Sequence, residues 1–358
     1  MTNAIETMSA RRIDKSKFAD DDIPPLLVSA DSHVDEPFDL WDGLPPEILA
    51  KLPAPRPLKN RPAGGMDASL RIPDMDLDGV TAEVLYPSHC MRFYELDQQV
   101  QEAVFPVYNN WIADYCRTAP KRLFGITTLP VYDIDFAIKE MQRCHDKGLV
   151  GAMIWREPHP DLPFTHPTHY ERLWAAAAEM GQVINLHTLT GFNYRMNLQN
   201  LHGIDYARGS VVHKTSDAMT AMFDLIWSGI CDRHPKIRFE FVEAEIGWIA
   251  FLLQQSDYYF QRHGRPEAQT YQQFAIKRPP SEIFSEHIFA TFMDDFVGSQ
   301  ALSFWGETNC LWSSDYPHPN MTWPNSRAFA AKNIGHLPAD KKVRLLSQNV
   351  IDLYGLPL

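Results

Sequence analysis

The feature that most limits what this chain can become is an alternation. Short apolar runs and longer helix-patterned stretches follow one another about eight times across nearly all of its 358 residues. The apolar runs are residues 26–30, 82–86, 123–129, 150–154, 183–186, 238–242, 288–292 and 310–313. Helical spacing is read over 98–116, 133–147, 167–180, 216–230, 246–262, 294–304 and 339–349, with Gly148 and Gly181 as stop signals. Strand–helix alternation predicts α/β with a parallel sheet. Eight repeats favour a closed (β/α)8 TIM barrel with long loop insertions over an open doubly wound sheet. No GxGxxG follows a strand, so a dinucleotide fold has no support.

The intervals without clear periodicity are 36–73, 188–212 and 264–285, and they are read as long loops shaping a pocket. Residues 1–24 form an N-terminal arm, and 25–358 form one barrel domain. The net charge of −12 argues against a nucleic-acid or anionic-membrane surface. No apolar run reaches eighteen residues, and the polar N-terminus lacks the apolar core of a secretory signal, so a cytoplasmic protein is expected. The five scattered cysteines fit reduced thiols rather than a disulfide frame. The expected partner is a small-molecule substrate, and pairing of two copies is left open.

In a (β/α)8 barrel the chemistry collects at the C-terminal ends of the strands. The first strand ends in Asp31-Ser32-His33. Side chains two apart on a strand point the same way, so Asp31 and His33 project toward one place. Strand five ends in His187, strand six in Glu243 and strand eight in Asp315. Each has a bland reading taken singly: a turn cap, a core histidine, a first-turn carboxylate favoured by the helix dipole. Together they would leave several desolvated ionisable groups without a partner, and a divalent cation supplies one. The mixed oxygen and imidazole set suits zinc first, with manganese or iron as alternatives.

On these residues the chain resembles the amidohydrolase superfamily, in the amidohydrolase 2 branch related to aminocarboxymuconate semialdehyde decarboxylase. The matching blocks run from about Leu26 to Leu356: ADSHVDEP, DMDLDGV, NNWIADYCRTAPKRLFG, VINLHT, HPKIRFEFVEAEIGWI, LWSSDYPHPNMTWPNS and NVIDLYGL. The resemblance implies one divalent metal held by Asp31, His33, His187 and Asp315. In the decarboxylases of that family strand six ends in a His, sometimes with a Glu three residues on. Here Glu243 and Ile246 stand in those positions, which shifts the expectation toward hydrolysis.

The resulting expectation is a metal-dependent hydrolase of a carbonyl-centred bond (amide, ester, thioester or C–C). Asp315 is ligand and general base, and Glu243 a second acid–base group. The alternatives are a non-oxidative decarboxylase of an aromatic or unsaturated acid and a non-catalytic ligand-binding barrel. Trp155, Arg156 and His318 are expected to contact substrate, His318 being equally readable as a loop residue beside Pro319. Phe192, Tyr194, Trp312 and Trp323 are further aromatic candidates for the pocket wall.

Overall fold

A computed structural model describes residues 23–54, 61–192, 203–302 and 305–358. Eight parallel strands pair in strict sequence order: β1 Val28–Val34, β2 Ala82–Pro87, β3 Leu123–Thr128, β4 Gly151–Ile154, β5 Val183–His187, β6 Arg238–Val242, β7 Ile288–Phe292 and β8 Cys310–Trp312. Nearly every strand residue is buried. That is expected of parallel strands covered by helices outside and by their own side chains inside. The seam between first and last strand closes just beyond β8. Asp315 N donates to Asp31 O (3.0 Å) and His33 N to Tyr316 O (2.5 Å). The (β/α)8 expectation is met.

Helices separate the strands: α1 Ala68–Asp78, α2 Gln98–Cys116, α3 Ile134–His145, α4 Glu171–Met180, α5 Lys214–Trp227 and α6 Ile249–His263, with α7 Pro280–His287 leading into β7. Beyond β7 come α8 Phe296–Ala301, α9 Ser326–Ile334 and, near the chain end, α10 Asn349–Tyr354. Three of the expected loops contain helix. The interval 36–73 holds Pro46–Leu49 and most of α1, whose start is set by Asp67 accepting from Ser69 N (2.8 Å). Pro73, the last residue of that expected loop, lies inside α1. Residues 204–213 continue helically into α5 through a π turn, and 264–285 runs into α7. The helix read over 294–304 is shorter, Phe296–Ala301. Helix α9 had no counterpart in the pattern. Most of the N-terminal arm, with Tyr194 and Phe304, lies outside the described residues.

One irregularity shapes the site. β1 advances three residues, Ser29 to Ser32, while β2 advances two, Glu83 to Leu85. This bulge puts Ser29 and Ser32 in one hydroxyl cluster with Ser314 and Glu83, leaving Asp31 and His33 on the other side.

Candidate active site

Four side chains from three strand ends converge at the barrel mouth. His33 Nε2 stands 3.3 Å from Asp31 Oδ1 and 3.4 Å from Asp315 Oδ1, and His187 Nε2 is 3.5 Å from Asp31 Oδ1. All four are essentially sealed from solvent. Each imidazole has its far nitrogen fixed by a carbonyl: His33 Nδ1 lies 2.9 Å from Pro87 O and His187 Nδ1 2.7 Å from Thr188 O. A carbonyl only accepts, so Nδ1 carries the proton and Nε2 turns a lone pair inward. Among the described residues, both Nε2 atoms and all four carboxylate oxygens lack a hydrogen-bond partner. Six buried, unpartnered acceptors facing one point are costly unless a cation sits among them. Asp31, His33 and His187 form one cluster compact enough to hold an ion, and His33, Asp315 and His318 form another.

The electrostatics agree. Burial drives Asp315 well above the usual carboxylate range, reinforced by nearby Glu243. Asp31 goes the other way: burial would raise it, but His33 and His187 beside it hold it far below. Burial, helped by neighbouring His318, lowers His33. This is a site short of positive charge.

The backbone is specialised where it delivers these groups. Leu189, Glu243, Glu245 and Asp315 are the non-glycine residues with positive φ (67°, 56°, 53° and 54°) among those described, and all follow strand ends at the mouth. Side-chain-bearing residues adopt this left-handed geometry only when surroundings enforce it. For Glu243 part of the enforcement is its N–H donating to Thr291 Oγ1 (2.8 Å). Glu243 Oε2 then lies 4.0 Å from His187 Nε2.

His318 joins the group from the loop after β8. Its ring stacks on His33 (centroids 3.7 Å apart), its Nε2 meets Ser88 Oγ at 3.0 Å, and its Nδ1 is 2.9 Å from Asp315 Oδ1, close but off-line for a hydrogen bond. Trp155 and Arg156 stand one layer back. The Trp155 indole donates to Tyr170 Oη (2.9 Å) and packs edge-on against Tyr132. Arg156 is fully buried and gives Nη2 to Thr188 Oγ1 (3.1 Å), behind His187. Phe192 lies against His159, and the Trp323 indole donates to Asp74 O. Trp312 is buried, and its indole nitrogen has no partner among the described residues.

Two contributors were not found from the sequence. Lys214, at the start of α5, donates to Glu243 Oε1 at 2.9 Å. Arg71, on α1, is buried against Glu83 (Nε to Oε2, 2.5 Å) and donates to His33 O (2.6 Å), fixing the backbone of a candidate ligand. Neither sits at a strand end, and only the fold brings them there.

The amidohydrolase family model matches residues 32–356. The chain belongs to the amidohydrolase family. Among curated relatives, the gamma-resorcylate decarboxylase of Rhizobium sp. (strain MTP-10005) is 22% identical over 234 residues, covering 62% of this chain and 69% of that protein. The 2-amino-3-carboxymuconate-6-semialdehyde decarboxylase of Dictyostelium discoideum is 23% identical over 299 residues, covering 81% and 77%. Among solved structures, a dihydroxybenzoic acid decarboxylase from Polaromonas sp. JS666, with bound manganese and the inhibitor 2-nitroresorcinol, superposes with a TM-score of 0.69 at 17% identity, covering 93% of this chain and 98% of that one. This enzyme family thus includes decarboxylases, and the relatives support the alternative above over the hydrolase expectation. No helix among the described residues is long and apolar enough to cross a membrane.

Proposed function

We propose that this chain is a metal-dependent, non-oxidative decarboxylase of an aromatic or unsaturated carboxylic acid. The observation that carries the metal reading is the set of six unpartnered acceptor atoms on Asp31, His33, His187 and Asp315. The decarboxylase reading is supported by the relatives. Asp31, His33, His187 and Asp315 would hold a divalent cation, which would offset their charge and supply Lewis-acid polarisation of an oxygen of the bound acid. Zinc and manganese both suit the two imidazoles and two carboxylates.

The chain's own groups supply the rest. The carbon–carbon bond to the carboxylate breaks, carbon dioxide leaves, and the vacated carbon takes a proton. Asp315, a carboxylate at the mouth beside His318, relays it to that carbon. His318, with Nδ1 2.9 Å from Asp315 Oδ1 and Nε2 on Ser88 Oγ, resupplies it from the Ser88 side once its ring turns into line, and remains the candidate substrate contact. Trp155 and Arg156 support the wall and His187 from behind. Glu243, 4.0 Å from His187 Nε2, is the one feature that favours hydrolysis, because a carboxylate there can take a proton from water.

Purified protein loaded with manganese or zinc, offered hydroxylated benzoates and unsaturated diacids together with their esters and amides, separates the two readings. Decarboxylation gives one carbon dioxide per turnover and, in heavy water, deuterium at the vacated carbon. Incorporation of ¹⁸O from labelled water into ester or amide products, with no carbon dioxide from any acid, would instead establish hydrolysis. His187→Ala should remove most bound metal and all turnover.

A further inference from the structure

The mouth contains a cation to which the mechanism above gives no task. Lys214 Nζ makes one hydrogen bond among the described residues, to Glu243 Oε1 (2.9 Å), and an ammonium has three N–H groups to give. Glu243 Oε2 accepts no hydrogen bond among the described residues and stands 4.0 Å from His187 Nε2, beside the candidate metal ligands. Lys214 is 21% and Glu243 16% exposed, so the pair borders the opening rather than the core. Burial lowers the Lys214 ammonium, but the carboxylates of Glu243, Glu245 and Asp315 outweigh it and keep the group charged. A spare donor and a spare acceptor thus lie side by side at the edge of the site.

We propose that Lys214, acting with Glu243, is the specificity-determining contact for a hydroxyl group on the substrate, whose oxygen accepts from Nζ while its O–H donates to Glu243 Oε2. The inference rests on the decarboxylase reading for where the carboxylate end of the substrate lies. Charge selects a hydroxyl over a second carboxylate. A dication would offset Asp31 and Asp315, Lys214 offsets Glu243, and burial pushes Glu245 up to about 7, toward its neutral form. One carboxylate then leaves a single negative charge in the mouth, whereas two would leave an uncompensated pair. A site built around a donor and an acceptor disfavours an analogue that leaves both unpaired. An ether oxygen in the same place would satisfy Lys214 but not Glu243.

The test is equilibrium binding, by calorimetry, of benzoate and of benzoates carrying hydroxyl, methoxy or carboxylate at each ring position. It uses the full chain, loaded with manganese and metal-stripped, as wild type, K214M, K214Q and K214R. The best hydroxybenzoate should bind loaded wild type about tenfold tighter than benzoate, equivalent to one good charge-assisted hydrogen bond. The methoxy and dicarboxylate analogues should gain less. K214M and K214Q should shrink the hydroxyl advantage to within about twofold, and K214R should retain most of it. Thermal unfolding and metal content identify which variants are folded, and K214Q carries the comparison where K214M is not. Persistence of the hydroxyl advantage without the lysine overturns the inference, as does a dicarboxylate binding best. Equal binding by stripped and loaded protein would count against the metal-dependent reading instead, while leaving the comparison at Lys214 intact.

Discussion

Asp315→Asn should move the stability of the metal-free and metal-loaded protein in opposite directions. In the metal-free chain both Asp315 oxygens are buried and unpartnered, and Glu243 and Asp31 add repulsion. The folded-state pKa is raised, so the carboxyl's contribution to stability is fully present below the unfolded value and is lost as pH climbs toward the folded one. At neutral pH a neutral amide relieves that loss. Burying an unpaired carboxylate costs more than burying an unpaired neutral amide, and the difference is taken as about 1–3 kcal/mol. For 358 residues an unfolding entropy of about 2.1 cal/mol/K per residue converts 1 kcal/mol into about 1.3 °C. Metal-free D315N should therefore melt about 1–4 °C above metal-free wild type. With metal at about a thousand times Kd, wild type gains about 4.1 kcal/mol, or about 5 °C. D315N, one anionic ligand short, should gain little of this. Differential scanning fluorimetry with chelator or added manganese, alongside metal analysis, measures both halves. A D315N protein that keeps a full equivalent of metal and the wild-type shift would refute the assignment of Asp315 as ligand. A lowered metal-free melting point would refute the claim that its carboxylate is strained there.

Three further outcomes follow from features away from the proton chemistry. Glu240, inside the barrel and hydrogen-bonded by Tyr354 and Tyr86, has its carboxyl pushed up to about 8 by burial; its stabilising contribution is complete below about pH 4.5 and is lost by about pH 8, a change of about 4–5 kcal/mol. E240Q should flatten the fall in melting temperature between pH 5 and 8, and an unchanged profile would count against a neutral acid there. Gly151→Ala should destabilise by about 1–3 kcal/mol in denaturant titrations, because a Cβ would stand 2.7 Å from Asn185 Nδ2 and 2.9 Å from Tyr354 Cε1. Arg71→Met strands Glu83 without its buried partner, at a cost of about 3–5 kcal/mol, and releases His33 O; metal affinity and melting temperature should fall together.

The strands and the four candidate ligands were readable for one physical reason. Parallel strands are apolar on both faces, so a polar residue at the end of such a run, as at Asp31, His187 or Asp315, stands out. Helix α9 hid because it buries Ser326 and Asn333, the first held by Asp78 and the second bonded to Asp294, which breaks the apolar periodicity. Of helix α1 only the turn after Pro73, in DMDLDGV, reads as helical, and its first half, Ala68 to Pro73, reads as loop. The bulge at Ser29–Ser32 leaves no trace in composition, since it reflects pairing with β2 and the hydroxyl cluster. The hydrolase expectation weighed Glu243 by itself. What the sequence concealed was its partner, because Lys214 reaches the mouth from a helix start.

The candidate ligands span the barrel seam: Asp31 and His33 lie on the first strand and Asp315 just past the last. The pocket for an ion therefore cannot exist while the chain is still emerging. It is assembled only when residues some 280 positions apart are brought together, and those long-range closures are the slow ones. An ion captured there would clamp the chain's two ends to each other, so metal uptake during refolding should report completion of the circle rather than collapse of any local segment.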